Sequence, residues 1–387
     1  MPEPTEFDRT MRRIRLMIEE GQADAALAQL DAIHTDDSRK QQEITYTYAW
    51  YYTRKELWSQ TVHYLSLLND ARSIEDDWND ADHTDRERRA FYLLWLGVVA
   101  VELSRYEDAS QHFTQCLKVL EMRRMHLPKV RIKALYSLGL TCMMSGFYAV
   151  AIQHYEEALK VFSKEKLQDQ LKKDLADIHY RLSDAYRLSG DFDHARTHGI
   201  MALHIYEDFP DRYYVGRVYN LLGRIAFQAG ENQLAAEQYL ASLSLATLEN
   251  RAGMQLINFV AMADLRLSEN SLEDAQRYCG HALEASAQLQ DDHHLCGMMY
   301  LVSGKVAQEK AKQAHGQEAC YLLLEALDVY KKAAEHLAQT RATSHLSELY
   351  GRRAEVHEAL NQSEEALACW KSAFDVVTTA RGAGWYE

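Results

Sequence analysis

The chain has 387 residues, 43 of them basic and 57 acidic, and a formal net charge of −14. That balance argues against a general nucleic-acid surface, which needs clustered basic charge. No apolar run approaches the roughly 18 residues of a membrane span, and the opening MPEPTEFDRTMRRIR lacks the apolar core of a signal peptide, so a cytoplasmic protein with no membrane partner is expected.

Only four prolines occur, Pro2, Pro4, Pro128 and Pro210, while Leu, Ala, Glu, Gln and Lys are abundant. Strand-like alternation is scarce, so the fold class expected is all-α. Residues 1–5 read as a lead. A helix over 6–20 places Met11, Ile14 and Met17 on one side. Gly21 breaks it, and 24–33 returns with Ala26 and Leu30 packing back. Asp36, Asp37 and Ser38 supply N-caps for the next helix. That helix, 43–54, carries Tyr46, Tyr48, Trp50, Tyr51 and Tyr52, and 58–68 follows. Residues 1–72 are therefore expected to form an N-terminal helical lobe of two degenerate hairpins. Residues 73–89 hold Glu75, Asp76, Asp77, Asp80, Asp82, Asp85 and Glu87 and read as an acidic linker. They lack the spacing of an EF-hand loop.

Regular helix pairs are predicted over 89–103/106–122, 130–145/148–163, 170–189/192–207, 212–229/232–248, 252–268/272–289, 293–313/317–339 and 342–359/363–380. The solenoid domain spans 90–380, and 381–387 is a tail with Trp385 and Tyr386. Gly146, Gly190 and Gly230 fall between paired helices, where a left-handed residue is wanted.

The pairs share a pattern. One alanine slot is filled by Ala26, Thr61, Ala109, Ala151, Ala195, Ala235, Ala275, Ala326 and Ala366, at spacings of 35, 48, 42, 44, 40, 40, 51 and 40. Twelve residues earlier, in most copies, stands a small residue: Gly97, Gly139, Ser183, Gly223, Ala263, Gly304 and Ala354. Four residues after the alanine come Phe113, Tyr155, Gly199, Tyr239, Cys279, Tyr330 and Trp370. Small residues are needed where two helix backbones approach, and the aromatics fill what remains.

This pattern resembles the tetratricopeptide repeat (TPR), through Leu96-Gly97, Leu138-Gly139 and Leu222-Gly223 on first helices, and Ala109/Phe113, Ala151/Tyr155 and Ala235/Tyr239 on second helices. The repeats exceed the usual period of about 34 residues, as in bacterial Rap and PlcR-type peptide-signal receptors and in kinesin light chain. The resemblance implies a right-handed α-solenoid of about nine TPR-like hairpins, with first helices lining a concave groove. Repeat positions 2, 5, 9 and 12 then point into the groove. These are Lys133, Tyr136, Leu140 and Met143 in the second regular repeat, and Asp177, Tyr180, Asp184 and Arg187 in the third. The fourth gives Arg217, Asn220, Arg224 and Phe227, and the fifth Ile257, Val260, Asp264 and Ser268.

The expected peptide- or protein-binding residues are Tyr136, Tyr180, Asp184, Arg187, Arg217, Asn220, Arg224 and Phe227. The arginines suit a carboxylate, Asn220 suits a peptide backbone, and the rings suit side chains. The alternative is that the charges pair with one another across adjacent helices.

No P-loop, GxSxG or HExxH occurs, and no catalytic residue, metal site or cofactor is expected. Asp291, Asp292, His293 and His294 read as a polar turn and N-cap. His154, His198 and His281 read as second-helix surface. The six cysteines form no CxxC and read as buried thiols of a reducing compartment. The leading reading is a non-enzymatic bacterial sensor or regulator of signalling or transcription, taking a peptide or protein segment and contacting no nucleic acid directly. A homodimer is allowed for. The Rap resemblance also implies a response-regulator phosphatase or sequestering protein, although none of Gln41, Gln42 and Gln60 maps onto that family's catalytic glutamine. A constitutive assembly scaffold is the third reading.

Overall fold

The computed structural model describes residues 5–19, 22–55, 57–70, 83–103, 105–122, 126–167, 171–289, 292–340 and 342–382. They form two compact units, 1–168 and 169–387, and all their regular structure is helical. The first unit holds α1 (Glu6–Glu19), α2 (Ala23–Asp31), α3 (Ser38–Arg54), α4 (Trp58–Asp70), α5 (His83–Glu102), α6 (Tyr106–Met122), α7 (Pro128–Met144) and α8 (Tyr148–Glu165). The second holds α9 (Lys172–Ser189), α10 (Phe192–Tyr206), α11 (Tyr213–Gln228), α12 (Asn232–Leu248), α13 (Ala252–Ser268), α14 (Leu272–Ser286), α15 (His293–Gln313), α16 (Gly316–Leu337), α17 (Thr343–Ala359) and α18 (Ser363–Gly382).

The predicted pairs are present, with ends shifted by a few residues. Two starts come five or more residues earlier. The helix expected at 43 begins at Ser38, because the Asp37 side chain accepts the Lys40 N–H at 3.2 Å and caps the first turn. Helix α5 begins at His83, so the end of the acidic stretch is helical. Residues 71–82, the lead 1–4, Gly21 and the tail residues 383–387 lie outside the described residues.

Each hairpin closes over the slots that defined the repeat. A Cβ at Gly97 would stand 2.4 Å from the Phe113 ring, one at Gly139 2.6 Å from Tyr155, one at Gly223 2.5 Å from Tyr239 and one at Gly304 2.4 Å from Tyr330. Those four rings are at most 1% exposed, and each adds roughly 2–3 kcal/mol of apolar burial. The two slots compensate in volume. Where the second-helix ring is lost, at Gly199 and Cys279, the first-helix slot gains a side chain, Ser183 or Ala263. The Ser183 hydroxyl then donates to the Ala195 carbonyl at 2.7 Å. Gly146, Gly190 and Gly230 have φ of +80°, +85° and +81°, as a left-handed turn between paired helices requires.

Hairpins stack with their first helices on the inside of each unit. In residues 169–387, α11 approaches both α9 and α13, and α15 approaches both α13 and α17, whereas no two second helices approach comparably. The α11–α13 step is tied by a buried polar chain. Asn220 Nδ2 donates to Asn258 Oδ1 at 2.9 Å, and Asn258 Nδ2 donates at 2.8 Å to both Ser242 Oγ and the Met254 carbonyl. The Ser242 hydroxyl donates to the Gly216 carbonyl at 2.7 Å. Such groups cost free energy unless every donor finds an acceptor.

Candidate ligand-binding face

The first helices α9, α11, α13, α15 and α17 share one face, and it carries seven of the eight sequence-predicted residues. Tyr136 belongs to the unit of residues 1–168, where its ring meets Tyr155 at 6.0 Å.

On α9, Arg187 is only 4% exposed. Its Nε and Nη2 donate to Asp184 Oδ1 at 2.9 and 2.7 Å, and its Nη1 donates to Gln228 Oε1 at 3.0 Å. Burial works to raise the Asp184 carboxyl, but Arg187 and then Arg224 outweigh it and hold the group below its ordinary range. Tyr180 is half-buried, its ring covered by the Arg217 guanidinium at 4.6 Å. Asp177 accepts from the Tyr206 hydroxyl at 2.5 Å.

On α11, Arg217 lies between two rings, Tyr180 and Tyr213, the latter at 5.7 Å. Burial opposes its charge, yet the two tyrosines hold it above its ordinary value. Among the described residues Arg217 meets no carboxylate. Nor does Arg224, one turn beyond Asn220, which is exposed and acts electrostatically on Asp184, Arg187 and His345 without touching a carboxylate. Asn220 is 7% exposed and its Nδ2 donates to Asn258. Phe227 is half-buried against Ala226, Tyr239 and Met262.

Farther along, the face closes on itself. Lys305 Nζ lies 2.7 Å from Asp264 and 3.1 Å from Glu348, tying α13, α15 and α17. Burial pushes the Asp264 carboxyl up, against Lys305. Gln308 donates to Glu355 at 2.8 Å and accepts from the Tyr330 hydroxyl at 2.8 Å. Arg352 stands 3.4 Å from Glu355. Tyr213, Lys305 and Glu348 were not singled out from sequence. Lys305 and Glu348 would have emerged by carrying the repeat offsets into the last two hairpins. Tyr213 lies outside the offsets, one turn before Arg217 on the same helix.

The remaining candidates resolve into structural roles. Asp292 caps α15 by accepting the Leu295 N–H at 3.0 Å, and Asp291 lies outside the described residues. His293 Nδ1 faces His336 Nδ1 at 3.2 Å. His198 is half-buried rather than on the surface, because its Nδ1 faces His179 at 2.9 Å and its ring stacks on Tyr186. Among the described residues no three His, Cys, Asp or Glu side chains gather to hold a metal ion, and no helix is long and apolar enough to cross a membrane. Cys116, Cys142, Cys296 and Cys369 are buried, Cys279 is half-buried and Cys320 is exposed.

A tetratricopeptide-repeat family model matches residues 174–247, the stretch that carries Tyr180, Asp184, Arg187, Arg217, Asn220, Arg224 and Phe227. The fold is a TPR-like helical solenoid. It is similar to the apo form of the quorum sensor NprR from B. thuringiensis, at 17% identity and a TM-score of 0.70, covering 95% of this chain and 97% of that one. It is similar to a Rap protein complexed with Competence and Sporulation Factor, at 12% identity and a TM-score of 0.62, covering 98% and 99%. NprR in complex with its cognate peptide NprX matches at 16% identity and a TM-score of 0.59, covering 96% and 100%. No curated protein sequence matches this chain.

Proposed function

We propose that this protein is a non-enzymatic regulator that binds a peptide or protein segment on the first-helix face of α9, α11 and α13, in a bacterial intracellular signalling or transcription setting. The observation that carries the reading is the pair Arg217 and Arg224. Arg187, Lys305 and Arg352 each have a carboxylate partner, and these two, among the described residues, have none. They stand seven residues apart on α11, about 10 Å along the axis at 1.5 Å per residue. An extended chain advances about 3.3 Å per residue. The two guanidinium groups therefore suit two acceptors about three residues apart, such as a side-chain carboxylate and a chain terminus. Tyr180 and Tyr213 hold Arg217 in place before a ligand arrives, which lowers the ordering cost of binding. The solved Rap and NprR structures of similar fold, which hold a signalling factor and a cognate peptide, support the choice of ligand class.

The test is affinity selection from a library of random heptapeptides with free C-termini, on the wild-type protein and on Arg217→Ala with Arg224→Ala. The wild type should retain a discrete set and the variant should lose it with an unchanged circular dichroism spectrum. Equal retention by both would overturn the assignment.

A further inference from the structure

Histidines face one another across helices in the unit of residues 169–387. His179 on α9 is 9% exposed, and its Nδ1 meets Nδ1 of His198 on α10 at 2.9 Å. A neutral imidazole carries one N–H, so one ring donates and the other accepts. The Tyr186 ring lies parallel to His198 at 5.6 Å and against His194 at 5.1 Å. His194 Nδ1 is turned to Asp191 at 2.7 Å. Burial first, and then His198, push the His179 imidazole down to about 4, and among the described residues no carboxylate opposes them. A second pair joins α15 to α17. The rings of His294 and His345 stand 5.3 Å apart, and His345 Nδ1 is buried without a hydrogen-bond partner among the described residues. Burial first, and then His294, hold His345 below its ordinary value; Arg224 and Lys305 act the same way, and Glu348 opposes them. His294 is held down by burial, against Asp292. From α16, His336 meets the adjoining His293 at 3.2 Å, with the Tyr300 ring stacked on it.

We propose that these two pairs form an acid-operated release, in which protonation loosens α9 from α10 and α17 from α15. The first pair accepts one extra proton and no more. Charging the donor ring leaves the N–H···N bond in place, whereas charging the acceptor puts a hydrogen on both nitrogens and forces them apart. Charging His345 as well as His294 sets two cations side by side at a junction that already feels Arg224 and Lys305, with Glu348 and Asp292 as the opposing charges. A histidine of the unfolded chain takes its proton near pH 6.5, roughly. Folded His179 and His345 titrate below that. The stability of both contacts is therefore complete above about pH 6.5 and is lost as pH falls toward the folded values. Helix α9 carries Tyr180, Asp184 and Arg187, and α17 carries Glu348, which Lys305 ties to Asp264. Opening either contact disturbs the face proposed to hold the peptide, but the release itself requires no ligand.

The experiment is hydrogen exchange by mass spectrometry on the full chain without peptide, at about pH 7.5 and about pH 5.5, with each rate expressed relative to that of an unstructured chain at the same pH. Ordinary carboxylates stay ionised over this window, and Asp264, which burial pushes up, is present in every protein compared. At the lower pH the wild type should open α9 and α10 about tenfold more, the excess expected of one histidine moved from about 6.5 to about 4. Protection of α17 should fall as well. His179→Asn, which keeps an amide near the place of Nδ1, should abolish the loss in α9 and α10 and leave that in α17. His345→Asn should do the converse. The proposal is overturned if wild-type protection is the same at both pH values, or if each variant loses as much protection as the wild type. The Cε1 proton of His179, titrated by NMR on the wild type, is a check that needs no variant to fold: a midpoint at or above about 6.5 would also overturn the proposal.

Discussion

Gly223→Ala sets two opposite expectations against each other. On helix propensity alone, replacing an interior glycine of α11 by alanine should stabilise by about 0.8–1 kcal/mol. The structure predicts the reverse. The new methyl would stand 2.5 Å from Cδ1 and Cε1 of Tyr239. That ring is 1% exposed and boxed in by Ala226, Ala235, Met262 and Leu265, so it can yield only if α11 and α12 move apart. Overpacking of this kind costs about 1–3 kcal/mol. With the propensity gain set against it, a net loss of up to about 2 kcal/mol is expected. The next hairpin suggests the rescue, since its equivalent slots are Ala263 and Cys279. Tyr239→Cys alone should cost about 3–5 kcal/mol through the cavity it leaves. The double variant should be more stable than the sum of the single effects predicts, by at least about 1 kcal/mol. Urea unfolding followed by circular dichroism measures all four proteins. A Gly223→Ala variant more stable than the wild type, or strictly additive singles, would refute the close approach.

Two further predictions follow from the polar interior. Asn258→Ala leaves the Asn220 amide without its acceptor in a buried site and should cost about 2–3 kcal/mol, read by the same unfolding assay; a cost below half of that would mean that water reaches the site. The Asp184 carboxyl titrates below its ordinary range when folded. Its contribution to stability is therefore full above the unfolded pKa, near 3.9, and is lost as pH falls through the folded value. Asp184→Asn should lower stability at neutral pH and flatten the acid limb of a melting-temperature profile. A profile parallel to that of the wild type would contradict the pairing with Arg187.

The fold was legible because its constraint is local. A glycine or alanine twelve residues before an alanine, with a ring four residues after it, is a volume rule, and volume is written in residue identity. The helix ends followed from Gly146, Gly190 and Gly230, whose positive φ only a residue without Cβ adopts at no cost. The face of the candidate site was legible for the same reason, since repeat offsets fix which side a side chain leaves. What each side chain does there was not. Arg187 and Arg224 look alike in sequence, but Asp184 stands three residues before Arg187, within reach on the same helix face, and Gln228 arrives from α11. Arg224 has Leu221 at the equivalent distance and meets no carboxylate among the described residues. Asn220 suits a peptide backbone by residue type, yet its Nδ2 donates to Asn258, thirty-eight residues away. Pairing across helices depends on the rotation between successive hairpins, which no single repeat contains.

The central claim is that Arg217 and Arg224, which meet no carboxylate among the described residues, hold the bound peptide. The most direct measurement is the dissociation constant of the best heptapeptide selected by the wild type, taken by fluorescence anisotropy on the wild type and on the two single arginine variants. Hydrogen bonds to charged groups are worth about 1.5–3 kcal/mol, so each substitution should weaken binding by roughly 10- to 100-fold, and added salt should weaken the wild-type complex. Dissociation constants unchanged in both variants would contradict the account.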